Sequence, residues 1–111
     1  MADIVVTVKD RELGFRFNNL TIDKYCRMRG IPFSDFDDDI MNNIAIANNV
    51  MFRCAIDVYS RGEVLIDEYE MEELIDEMSQ EDYNSILKTL TSGMKSMLER
   101  FVGATQSIKK K

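Results

Sequence analysis

The chain has 111 residues, a formal net charge of −6, and neither histidine nor tryptophan. That length suits one domain with one modest core. The missing histidine excludes Ser-His-Asp and Cys-His nucleophilic sites and His-ligated zinc.

At 45% apolar and 31% charged residues, the composition is that of a globular chain rather than a disordered one. The acidic balance argues against bulk attraction to nucleic acid or to an anionic membrane. The charge is unevenly spread. Residues 1–34 carry six basic and four acidic groups, residues 35–82 two basic and fifteen acidic, and residues 83–111 six basic and one acidic. Such a chain can pair its ends with its middle, or show an acidic face to a basic partner. There is no basic-then-apolar leader, and no apolar run reaches the length of a membrane span.

Ile4 to Val8 is β-branched throughout. Lys9 to Glu12 is polar and turn-like. Leu13, Phe15 and Phe17 then alternate with Gly14 and Arg16. This predicts a β-hairpin with one apolar side, which must rest on helices or on another chain. Asn18, Asn19 and Thr21 offer N-cap oxygens to a short helix over residues 20–29, with Leu20, Ile22, Tyr25, Cys26 and Met28 as its apolar atoms. Gly30 ends it, and Pro32 prevents resumption.

A connection follows, and then one long helix over residues 38–61. Ile40, Ile44, Ala47, Met51, Cys54, Ala55 and Val58 recur at helical spacing, and Ile46, Val50, Phe52 and Ile56 lie on other faces. A helix apolar over so much of its girth belongs at the centre of a core or an oligomer. Val64 to Ile66 fits either a strand or the entry to the next helix. Residues 70–78 predict a short acidic helix with Met71, Leu74, Ile75 and Met78 inward. Ser79 to Asp82 resembles a capping box. The last helix then runs to about Phe101, its seam being Tyr83, Leu87, Leu90, Met94, Met97 and Phe101. The fold expected is mainly α with an N-terminal β-hairpin (α+β). One helical domain of about four helices spans 1–102, and a disordered basic tail spans 103–111.

Little here assembles catalytic chemistry. Asp35, Asp37 and Asp39 open like a calcium loop, but Ile40 and Ile46 stand where that loop needs glycine and glutamate. An acidic helix start accounts for them. Glu68, Glu70, Glu72, Glu73, Asp76 and Glu77 read as a solvated helix face, an acidic docking surface or a mimic of nucleic acid. Cys26 and Cys54 read as reduced core thiols. No metal, cofactor or catalytic residue is expected, and no enzyme. The eight methionines suit either an ordinary core or a surface that accepts varied apolar partners.

The order of these elements resembles the tail assembly chaperones of long-tailed bacteriophages. The resemblance covers residues 4–101. It rests on Gly14-Phe15-Arg16-Phe17 ending a hairpin, Ile22-Asp23-Lys24-Tyr25 and Arg29-Gly30-Ile31-Pro32 bounding a short helix, and the long helix through Asn49 to Ala55. The acidic helix Met71-Glu72-Glu73-Leu74-Ile75-Asp76-Glu77-Met78 and the helix opening at Ser79-Gln80-Glu81-Asp82 complete it. It implies a non-enzymatic protein of the host cytoplasm, absent from the mature virion. Such a protein binds the tape measure protein, keeps it soluble and helps recruit tail tube protein. In many members a translational frameshift near the gene's end yields a longer product, and Lys109-Lys110-Lys111 is what an A-rich slippery run would encode. The expected partners are the tape measure and tail tube proteins, with self-association, and neither nucleic acid nor membrane. Met94, Met97 and Phe101 are the partner-binding candidates, taken from the late seam. The competing functions are a structural or adaptor subunit of a phage particle and an acidic inhibitor mimicking nucleic acid.

Overall fold

The computed structural model describes residues 3–109; for residues 97, 98 and 100–109 it describes the backbone alone. Among the described residues the chain forms two strands and five helices: β1 (Ile4–Val8), β2 (Arg11–Phe15), α1 (Asn19–Arg29), α2 (Phe36–Asn42), α3 (Ile44–Ser60), α4 (Glu68–Glu77) and α5 (Gln80–Lys109). A single 3-10 turn, Phe33–Asp35, leads into α2.

β1 and β2 pair antiparallel, with Val6 opposite Leu13 and Val8 opposite Arg11. The turn is shorter than its polar sequence suggests. Lys9 and Asp10 alone make it, with φ of 53° and 63°. Two consecutive left-handed residues match the right-handed twist of paired strands. Arg11 and Glu12 therefore lie in β2, and Phe17 lies beyond it. Val6, Val8, Leu13 and Phe15 are buried. On the opposite side, the Tyr59 ring occupies the place a Cβ on Gly14 would take.

Asn18 caps α1 as the sequence indicates. Its Oδ1 accepts the Thr21 amide at 3.2 Å, and Thr21 Oγ1 accepts the Asn18 amide at 3.4 Å. At the other end Gly30 adopts φ 68°, and the Ile31 amide donates back to the Cys26 carbonyl at 3.0 Å. This satisfies a helix-end carbonyl in the left-handed stop that glycine favours.

The long helix expected over 38–61 is two helices, so there are five helices rather than about four. Asn43 breaks it, with φ −137° and ψ 45°. The Asn43 side-chain amide donates to the Asp39 carbonyl at 3.3 Å and to Asp39 Oδ1 at 3.2 Å. A short amide side chain here competes for helix carbonyls and offers the backbone a way out of the helix.

α3 is the hub. It packs on α1, α2, β2 and α4. From Ala47 to Ile56 both of its apolar sets are buried, Ala47, Met51, Cys54 and Ala55, and also Val50, Phe52 and Ile56, while Val58 is half-buried. Phe52 meets Phe15 edge-on at 5.7 Å and Tyr83 at 6.0 Å between ring centres. α3 ends at Arg61, which is left-handed at φ 56°. A side chain in that conformation is strained, whereas glycine is not. Arg61→Gly is expected to raise stability by about 0.5–1 kcal/mol. A lowered urea midpoint would mean that the arginine side chain contributes more than its strain costs.

Residues 63–67 are neither strand nor helix; Ile66 points inward and Leu65 outward. Asp67 caps α4, and Met71, Leu74 and Met78 are buried beneath it. Ser79 Oγ accepts the Asp82 amide at 3.1 Å at the start of α5. The α5 seam is wider than the heptad pattern suggests. Ile86 is its most buried residue, with Leu90 beside it and Tyr83, Leu87 and Met94 partly covered. Gly93 lets α5 approach the hairpin, since a Cβ there would stand 3.1 Å from the Phe17 carbonyl oxygen. The backbone stays helical to Lys109, beyond the end expected at Phe101.

Candidate functional site

Met94 is half-buried and packed against the core, while the side chains of Met97 and Phe101 lie outside the described residues. Met71 and Met78, which the sequence leaves open as client-binding residues, are buried core. Methionine instead reaches the surface at Met28 and Met41.

The carboxylates divide into distinct roles. Asp35, Asp37 and Asp38 are exposed, and Asp39 turns inward. Arg29 grips Asp39 with Nε at 2.9 Å and a terminal nitrogen at 3.0 Å, and the Tyr25 hydroxyl donates to the same carboxylate. These bonds, the Arg29 pair foremost, pull Asp39 from 3.8 down to about 2. Burial, and then the bond to Asp39, push the Tyr25 hydroxyl well above its ordinary value. Asp39 is thus a tether between α1 and α2. Among the described residues no group of acidic and cysteine side chains is placed to hold a metal.

Basic residues of the first third meet acids of the middle, as the charge division allows. Lys24 pairs with Asp57 at 3.1 Å, Arg11 with Glu70 at 3.4 Å and Lys9 with Glu77 at 3.5 Å. The two cysteines are free and buried. Burial pushes Cys54 up to about 11 and raises Cys26. Thiols so protonated are poor nucleophiles.

Two surface features stand out. The first is a groove where α1, α3 and residues 65–66 meet. Met28, Cys54, Leu65 and Ile66 line it, and Lys24, Arg27, Arg53 and Asp57 rim it. Leu65 is 78% exposed there. Two of its cations are already spent on neighbours: Lys24 on Asp57, and Arg27 on Asp23 at 2.6 Å.

The second is a hollow between the start of α3 and the start of α4, lined by Ala45, Ile46, Asn49, Glu68, Tyr69 and Glu72. Tyr69 is 79% exposed. Ile44, next to Ala45, is 64% exposed, and Met41, just before the Asn43 break, is 79% exposed. Ile44 therefore leaves the buried stripe in which its spacing places it, because the helix turns at Asn43, and among the described residues its side chain stays largely in solvent. Asn49, 1% exposed, fixes the floor. Its amide donates to the Glu68 carbonyl at 3.0 Å and to Glu72 Oε2 at 2.7 Å, and its oxygen accepts from Arg53 Nε at 2.8 Å.

Apolar residues on the outer faces of α3, and one tyrosine in an acidic helix start, were the signals for this hollow. The arrangement provides apolar contact and charge, and no pairing of a nucleophile with a base. Among the described residues no helix is long and apolar enough to cross a membrane. Comparison with protein-family models, with curated proteins and with solved structures finds no match.

Proposed function

We propose that this chain is a tail assembly chaperone of a long-tailed bacteriophage. It acts without catalysis in the host cytoplasm, holds the tape measure protein soluble and helps recruit tail tube subunits. One observation carries the reading. A body with a well-packed core leaves apolar side chains in solvent at the starts of α3 and α4, Ile44, Ile46 and Tyr69 among them, and Ile46 and Tyr69 line the hollow there. Scattered apolar exposure is ordinary, but apolar side chains lining hollows beside charged rims are what a partner covers. A long helical client offers such a cover along its apolar stripe. The element order set out above adds its support.

Quantitative mass spectrometry of infected cells and of purified particles tests this. The chain should be abundant in the lysate and missing from the particle. A fixed copy number in the particle would make it a structural or adaptor subunit instead.

A further inference from the structure

We infer that the hollow between α3 and α4 seats an amphipathic helix whose apolar stripe is flanked by lysine or arginine. This rests on the client-binding reading and names the chemistry of the client segment. The walls are apolar: Ala45, Ile46 and the ring of Tyr69. The hollow is an open depression of about 240 Å³, room for an aliphatic side chain or two from a partner. Its floor is set before anything binds, because Asn49 is held by Arg53 on one side and holds Glu68 and Glu72 on the other. A site ordered in advance loses less entropy on association. Tyr69 presents a large ring with a polar tip, the kind of residue that dominates binding energy when covered.

The rim supplies the sign of the partner's charge. Glu68 and Glu72 stand on it. Residues 67–77 contain seven carboxylates and no basic residue. Among the described residues, cations pair only with Glu70 and Glu77 of these. The remaining charge attracts a basic flank and repels an acidic one. The groove at Met28 and Leu65 has a mixed, mainly basic rim with two of its cations already paired, so it is the internal control.

The probe is a synthetic helical peptide of about 20 residues, leucine on one face and lysine beside it, with a glutamate-flanked version for comparison. Binding is read by fluorescence anisotropy. The lysine peptide should bind, more weakly as salt rises, and the glutamate peptide should not. Ile46→Asp and Tyr69→Ala should each weaken binding by about tenfold or more. Leu65→Asp, in the other groove, should leave it unchanged. Circular dichroism checks folding; if Ile46→Asp misfolds, the exposed Tyr69→Ala decides.

No binding of the lysine peptide, equal binding of both peptides, or indifference to Tyr69→Ala would overturn the inference. So would sedimentation showing that the chain dimerises and that Tyr69→Ala abolishes the dimer. Co-expression with the tape measure protein separates the two claims. If the wild-type chain keeps it soluble and both hollow variants do so equally well, the hollow is wrong and the chaperone reading stands. If the wild-type chain fails to keep it soluble, the chaperone reading fails.

Discussion

Phe52→Ala is expected to cost about 3–5 kcal/mol, the usual loss when a fully buried phenylalanine is truncated. A domain of this size holds about 5–15 kcal/mol in total, so the variant falls near the edge of folding. The reason is position. Phe52 is completely buried on α3 and touches Phe15 of the hairpin and Tyr83 of α5. Phe15 in turn stacks on Phe17 at 6.3 Å. Removing one ring therefore opens a cavity where three elements meet, and no single neighbour can fill it. Urea denaturation followed by far-UV circular dichroism reads the loss. A cost below about 1 kcal/mol would show that α3 is not the centre of the core.

Asp39→Asn is expected to cost about 2–3 kcal/mol at neutral pH, somewhat less than breaking a wholly buried ion pair because Arg29 keeps some contact with water. The substitution keeps the shape and removes the charge that binds Arg29 and Tyr25. Acid should reveal the same contact in the wild-type chain. The folded state holds Asp39 at about 2, against 3.8 ordinarily. Its contribution is therefore complete above about pH 4 and fades as pH falls through about 2. In Asp39→Asn that part of the acid dependence should vanish. The stability gap between the two proteins should close over the same window. A gap constant from pH 5 to pH 2 would show that the carboxylate charge does not hold α1 to α2.

Local signals in the sequence carried much of the fold. The alternation of Leu13, Phe15 and Phe17 marked the inner face of the hairpin, although charged Arg11 and Glu12 looked like turn and proved to be strand. Asn18, Gly30 and Ser79 marked helix ends because their chemistry is local. The Asn43 break was hidden, since apolar spacing runs straight through it and only the Asn43 side chain, bonded back to Asp39, shows why the helix stops. Ile86 was missed because a strict heptad seam is narrower than the stripe a globular helix buries. The candidate surface was harder still. Periodicity shows that Ile44 and Ile46 are apolar, but not that both stay exposed beside α4. Nothing in the sequence singles out Asn49, which is the buried link between α3 and α4. That role depends on Glu68 and Glu72 arriving from elsewhere in the chain.

The proposed function makes this chain a shield for an apolar helical client. The direct measurement dilutes denatured tape measure protein into buffer and follows light scattering, with and without the chain at matched concentration. Scattering should be suppressed as the chain is added, and a complex of the two should then elute together on size exclusion. Scattering that is unchanged at excess chain, with no complex formed, would contradict the account.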